Sequence, residues 1–343
     1  MSDKNKNLKA FFIPLVASLL VIFLPSLLIK EKIINAYFAQ ILTLAGVNAI
    51  MAISVNMVCG ITGQLSLGQA GFQAVGAYAV ILLTQNAHIP LPCSIILSGL
   101  IAALLGFLIG FPTLKLEGDY LAIVTLAFGE IIRIVLTNLK DITGGPNGKQ
   151  FLTIMKNLQW GPTVSYFVIM LSLVLIVVLL NNFIRSTFGR AILAVREDEI
   201  AAEASGLGVF KYKMTGFVIA SFIGGIGGAL YAPLIGFIKP ELASFNNSIN
   251  HLIYVVLGGM GSISGGILAA YVLTILQEML RFLKDYRLLI YPVILILVML
   301  FRPQGLLGTK ELSIVKFSNG VVGMFRKLFS KGRKSESQKK EEK

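Results

Sequence analysis

Charge is scarce in this chain. Only 14% of its 343 residues are Asp, Glu, Lys or Arg, where soluble domains carry about 25%. Long polar runs are scarce too. The longest are 140–162, 185–213 and the segment after 302, too short for an ATPase domain or a soluble catalytic domain. There are two cysteines, Cys59 and Cys93, each inside an apolar stretch. A disulfide scaffold needs more, placed outside such stretches, and we read both as small buried hydrophobes. The two histidines, His88 and His251, stand too far apart to form a metal site by spacing. No metal ligand set and no nucleophile with its base is recognisable. These shortages argue against a soluble enzyme, a disordered protein and a nucleic-acid-binding domain.

What the chain has in abundance is apolar sequence: 55% of residues are hydrophobic and the mean hydropathy is +0.80. One soluble core cannot hide that much. Apolar stretches lie at 11–29, 33–59, 65–84, 90–112, 119–139, 163–184, 214–237, 242–260, 264–281 and 288–302. Crossing a bilayer takes roughly 20 apolar residues as a helix. In lipid the backbone must satisfy its own hydrogen bonds, which leaves helices or closed barrels. The alternating ten-residue strands of a barrel are missing. The expectation is an all-α polytopic membrane protein with about ten (8–10) transmembrane helices. Some are broken or re-entrant, and glycine-rich breaks in the two halves allow an inverted repeat. The first stretch follows MSDKNKNLKA and lacks a small-residue cleavage site, so it reads as a membrane helix and not as a removed signal.

Charge placement suggests the orientation. With the N-terminus inside and ten alternating crossings, the inside segments 1–10, 60–64, 113–118, 185–213 and 302–343 hold 20 Lys/Arg and the outside segments 9. Cytoplasmic loops carry that excess, so both termini are expected in the cytoplasm. The net charge of +13 is concentrated in the tail, where eleven Lys/Arg face four Asp/Glu from Arg302 onward. A basic juxtamembrane tail suits an anionic lipid surface. Its few aromatics do not form a stacking platform for nucleic acid. We therefore divide the chain into a transmembrane domain, 1–308, with a cytoplasmic loop at 185–213, and a basic, partly disordered tail, 309–343. An interfacial helix is expected around 314–329.

Four segments carry most of the functional signal. From Gly60 to Tyr78 there are glycines at 60, 63, 68, 71 and 76, together with Gln64, Ser66, Gln69 and Gln73. Irregular backbone at membrane depth is tolerated where it lines a cavity or packs on protein. Transporters present the free N–H groups of such breaks to a substrate, and a carboxylate suits them. Tight packing at an inside turn is the alternative. In the helix after Gly118, Glu130 and Arg133 are i, i+3 neighbours. They either line a polar route or lock two helices together. The segment Thr143-Gly144-Gly145-Pro146-Asn147-Gly148-Lys149-Gln150 lacks the spacing and the hydroxyl of a phosphate loop. Between Arg185 and Gly206 the chain is mixed in charge. Residues Glu197 to Ala204 read as a short exposed helix with acids early and Gly206 at its C-terminal end, suited to docking in a partner's groove.

Five strings in order resemble the permease subunits of branched-chain amino-acid ABC transporters, in particular the LivM-like branch. They are GQLSLGQAGFQAVGAY (63–78), GDYLAIVTLAFGEIIRIVLTNLKDITGGPNG (118–148), STFGRAILAVREDEIAAEASGL (186–207), VVLGGMGSISGG (255–266) and FRPQGLLG (301–308). The resemblance implies a subunit of a bacterial inner-membrane importer for branched-chain or related hydrophobic amino acids. Its partners would be a second, homologous permease, two cytoplasmic ATPase subunits that bind the ATP, and an extracytoplasmic substrate-binding protein. The chain itself would need no cofactor and catalyse nothing. The substrate pathway is assigned to Gly63, Gln64, Ser66, Gly68, Gln69, Gly71, Phe72, Thr125, Glu130, Thr143, Gly144 and Gly145. Coupling to the ATPases is assigned to Arg196, Glu197, Asp198, Glu199, Ala202, Glu203, Ala204 and Gly206. The family's EAA loop is loosely met, because Glu203-Ala204-Ser205 runs straight into Gly206. Permeases for urea and short amides share the family pattern. A gradient-driven carrier using Glu130 and Asp119 is the rival from another class.

Overall fold

The computed structural model describes residues 25–31, 34–116, 118–151, 161–302 and 305–306. The first expected helix, apart from its end, and the basic tail, where an interfacial helix is expected, lie outside these residues. Among them the chain is almost entirely helical. The principal helices are α1 Ala36–Asn56, α2 Gln69–Gln85, α3 Leu91–Thr113, α4 Asp119–Asn138 and α5 Pro162–Arg185. There follow α6 Thr187–Glu197, α7 Glu199–Ala204, α8 Val209–Ile235, α9 Phe245–Gly258, α10 Ile263–Met279 and α11 Arg287–Phe301. Strands β1 Lys149–Gln150 and β2 Phe237–Ile238 pair antiparallel, Lys149 opposite Ile238.

Six helices of the described residues are long and apolar enough to cross a membrane: Ala36–Ile61, Leu91–Thr113, Asp119–Asn138, Pro162–Arg185, Val209–Ile235 and Ile263–Leu283. Helices α2, α9 and α11 also fall on expected apolar stretches but have only 17, 14 and 15 residues. At about 1.5 Å per residue, α9 is some 21 Å long, short of the roughly 30 Å hydrocarbon core.

The centre of the molecule is α1 and α8, with 78% and 67% of their spanning stretches buried, against 28% for α4. Helices pack in lipid by close approach of small residues, since apolar surface alone gives no preference for protein over lipid tails. The run Gly224-Gly225-Ile226-Gly227-Gly228 supplies that approach on α8. A side chain at Gly228 would overlap the Gln73 carbonyl of α2, and one at Gly76 would overlap the Gly225 carbonyl. On the other side Gly99 and Gly106 of α3 receive Phe222 and Ser221. Phe72 and Phe217 meet edge to face at 5.7 Å. Hydroxyls inside these helices mostly bond the carbonyl four residues back, as Thr43 does to Ala39, Ser98 to Ser94, Ser221 to Phe217 and Thr274 to Ala270. That is how a polar side chain is tolerated in an apolar bundle.

The connections gather at two ends. At one end Gln85 reaches the Gln150 carbonyl, β1 pairs with β2, and Phe151 N–H bonds the Gly236 carbonyl. At the other, Arg196 bonds the Gly60 carbonyl and Leu306 N–H bonds the Leu257 carbonyl. There Leu114 and Lys115 share a groove of about 640 Å³ with α7 and the start of α8. The glycine run at 257–266 is a turn between α9 and α10, with the Ser262 hydroxyl capping Gly265 N–H at 3.1 Å. One cysteine departs from expectation. Cys59 is half-buried, but Cys93 is exposed on the outer face of α3, because the apolar face of that helix is wider than its packed face.

Candidate functional site

Helix α1 does not end in an ordinary cap. Its last turn widens into a π turn, Met57–Ile61, and Gln64 N–H reaches back to the Val58 carbonyl. Such turns recur at functional sites. Gly63 takes φ +72°, a left-handed value that a side chain disfavours, and the chain runs without helix until Gln69. Leu67 N–H donates to Thr125 Oγ1 at 3.1 Å, and a side chain at Gly68 would come within 2.7 Å of the Thr125 carbonyl. Thr125 lies six residues into α4, about 9 Å from its start. The break therefore sits at depth, and α2 begins inside the bundle.

A second helix also begins at depth. Phe245 N–H, at the start of α9, donates to Glu130 Oε1 at 3.3 Å. Ser248, one turn on, accepts from Ala70 N–H in the first turn of α2 at 3.4 Å. Two helix N-termini thus converge against α4 between Thr125 and Glu130. Each carries partial positive charge, and the Ala70 and Phe245 N–H groups there are held by Ser248 and Glu130. Behind them lies a buried polar seam. Ser54 Oγ is 3.0 Å from Gln69 Oε1 and 2.7 Å from the Ala220 carbonyl. His251 Nε2 is 2.9 Å from Gln73 Oε1. Gln64, Gln69 and Gln73 are all under 5% exposed. Gln64 Nε2 and Oε1, Gln69 Nε2, Asn56 Nδ2 and His251 Nδ1 are buried with no protein partner. Such atoms are rare and call for an explanation.

Of the residues assigned to a pathway, Gly63, Gln64, Ser66, Gly68, Gln69, Gly71, Phe72, Thr125 and Glu130 belong to this region. Gly71 fits against Gly129 and Ile132 of α4. Thr143, Gly144 and Gly145 do not join it. They form the turn after α4, some 20 Å farther along that helix by its rise per residue. The Thr143 hydroxyl bonds the Leu136 and Leu139 carbonyls and accepts from Gly145 N–H. Their polar pattern comes from closing a turn. The arrangement adds Ser54, Asn56, Ser248 and His251, which sequence reading passed over. The polar run Phe245-Asn246-Asn247-Ser248-Ile249-Asn250-His251 inside an apolar stretch was the available signal.

Glu130 and Arg133 form the expected i, i+3 ion pair, with side chains 30% and 38% exposed. Glu130 also holds the α9 terminus, so the pair joins two helices and still faces outward.

At the other face of the break, α6 and α7 form an angled unit. Ser186 Oγ caps α6 through Gly189 N–H, and Asp198 Oδ1 caps α7 through Ala201 N–H at 3.0 Å. The short helix is therefore Glu199–Ala204, two residues shorter than the acidic run suggested. Glu197 ends α6 and Asp198 is the cap between. At its C-terminal end Gly206 has φ +82°, Gly206 N–H bonds the Glu203 carbonyl and Leu207 N–H bonds the Ala202 carbonyl, a Schellman ending. Ala202 is buried, Glu203 is exposed, and Ile200 is 82% exposed. Glu199 pairs with Lys213 of α8. Among the described residues no three His, Cys, Asp or Glu side chains cluster to hold a metal.

Six helices long and apolar enough to cross a membrane, a helix break that runs from one end into the bundle, and a short capped helix beside its outer part fit a membrane transport subunit. Residues 37–300 match the family described as branched-chain amino acid transport system / permease component. The high-affinity branched-chain amino acid transport system permease protein LivM of Escherichia coli K12 is 38% identical over 309 residues, covering 82% of this chain and 72% of that protein. LivM of Salmonella typhimurium is 39% identical over 294 residues, 78% of this chain and 69% of that protein. The permease protein LivH of E. coli K12 is 26% identical over 293 residues, 80% and 95% of the two chains. No solved structure matches. The chain belongs to this permease family.

Proposed function

We propose that the chain is a membrane subunit of an ATP-driven importer for branched-chain amino acids and that α6 and α7 couple it to separate ATPase subunits. The single observation that carries this reading is the exposed, doubly capped α7, set beside the helix break at the same end of the bundle. Ile200, 82% exposed on that helix, suits an apolar contact with a partner subunit. The alternation of ten crossings draws support from the way the connections sort. Of the segments expected inside, the described parts of 60–64, 113–118, 185–213 and 302–343 meet at one end. Of those expected outside, 85–89, the described part of 140–162 and 238–241 meet at the other. The excess of positive charge on the segments at that end supports α7 on the cytoplasmic side of a bacterial inner membrane.

The substrate route runs past the converging N-termini of α2 and α9. Their N–H groups suit a carboxylate, and Glu130 beside them suits an ammonium group. The Glu130–Arg133 pair faces outward within an apolar span, where a charge against lipid is costly. That face of α4 is therefore covered by a second, homologous permease, with the route between the two. A binding protein delivers substrate at the end bearing β1 and β2. ATP is bound and hydrolysed by the partner subunits, and this chain holds no cofactor.

The reading is tested by co-purifying the detergent-solubilised permease pair with its candidate ATPase subunits. The wild type is expected to retain them. Glu203→Lys combined with Gly206→Pro should lose them while the permease keeps its gel-filtration profile. Unchanged retention by this variant would move the dock elsewhere. No ATPase on the wild type would favour the gradient-driven carrier.

A further inference from the structure

Among the contacts of the coupling segment with the membrane body, which include Glu199 with Lys213 of α8, one side chain reaches unusually far. Arg196 stands in the last turn of α6. Its Nη1 donates to the Gly60 carbonyl at 2.8 Å, across 136 positions of sequence. Gly60 lies in the π turn, beyond the regular helical ladder of α1, so the guanidinium satisfies a carbonyl at the point where the helix comes apart. The stem of Arg196 lies over Gly63, where a side chain would come within 2.7 Å of Cγ. Nη1 is also 3.4 Å from where Gly261 would carry a Cβ. Gly261 N–H in turn donates to Asn56 Oδ1 at 2.8 Å, and any side chain at Gly60 would meet Asn56 and the Gly261 backbone. The opposite edge of the guanidinium, Nε and Nη2, pairs with Glu197, whose side chain is 70% exposed. One planar group thus joins a solvent-facing carboxylate beside α7 to the backbone of the break after α1, which in turn packs on the turn between α9 and α10 through Asn56.

We infer that Arg196 is a strut that carries movement of the coupling segment into the helix break, and not a residue that docks the ATPase. Its Nη1 and its stem point inward, to Gly60 and Gly63. A shift of α7 pulls on the Gly60 carbonyl, and residues 62–68 lead from there directly to the N-terminus of α2. A guanidinium does this where an ammonium cannot, because it is flat and presents donors on two edges in fixed geometry. The inference rests on the coupling reading of α6 and α7.

The test uses the complete importer in proteoliposomes: this chain, the second permease, the ATPase subunits and the binding protein, with leucine as the probe. In Arg196→Gln the ATPase subunits are expected to stay bound and to keep hydrolysing ATP. Leucine taken up per ATP should fall about tenfold, the scale of losing a hydrogen bond to a charged group. Arg196→Lys should recover a minor part of that loss. Glu197→Gln, which leaves Arg196 its inner contact, should fall between wild type and Arg196→Gln. Uptake per ATP equal to wild type in Arg196→Gln would overturn the strut. So would loss of the ATPase subunits from that variant, which would make Arg196 a docking residue. Failure of the wild-type assembly to bind ATPase subunits would instead refute the coupling reading. If Arg196→Gln fails to fold, Glu197→Gln carries the test alone, and unchanged uptake per ATP overturns the strut.

Discussion

Replacing Gly228 by leucine is expected to leave no monodisperse permease in detergent. Any Cβ at this position overlaps the Gln73 carbonyl and lies 2.9 Å from Ala77 N. These are backbone atoms at the centre of the α2–α8 contact, so no rotamer change relieves the clash. Overpacking a tight core usually costs about 1–3 kcal/mol. Here the relief would have to be separation of two helices, and in lipid nothing else holds them as closely. Gly266→Ala is the matched control. Its new methyl meets only Ala52 Cβ at 3.9 Å, and its melting profile should match wild type. Fluorescence-detected gel filtration and a thermal melt of both variants read the difference.

The second large effect is expected at Ile200. It is 82% exposed and borders the groove formed with Leu114, Lys115, Glu203 and Phe210. Because its side chain is barely buried, Ile200→Glu should leave the melt of the isolated permease unchanged. A central apolar anchor of an interface is typically worth about 2 kcal/mol or more, some thirtyfold in affinity. The variant should therefore lose both ATPase co-purification and leucine uptake. A normal melt with normal uptake would remove Ile200 from the interface.

Much of this was legible in the chain itself. Lengths of apolar sequence gave the helices, since lipid leaves the backbone few alternatives. Gly206 announced its helix end because so few residues accept a left-handed backbone, and the acids after Arg196 announced an exposed turn of helix. The glycines between 60 and 71 announced a break. Its depth could not be read, because that depends on Leu67 meeting Thr125, a contact between helices that no local pattern encodes. The same limit hid α9. The stretch 242–260 has the length of a span, but Pro240–Ala243 forms a separate turn and the helix starts only at Phe245. Thr143, Gly144 and Gly145 lie apart from the break, in the turn after α4. Their residue types serve a substrate loop and a tight turn equally, and here the hydroxyl is used by the carbonyls of α4. Arg196 was grouped with the coupling residues by its neighbours in sequence, and that its guanidinium turns inward to Gly60 is a contact that no local pattern encodes.

The central claim is that this chain provides a path and a lever and takes its energy from elsewhere. Uptake of labelled leucine into proteoliposomes tests it most directly. The prediction is uptake only when the second permease, the ATPase subunits, the binding protein and ATP are all present. Concentrative uptake by this chain alone, driven by a proton or sodium gradient, would contradict it.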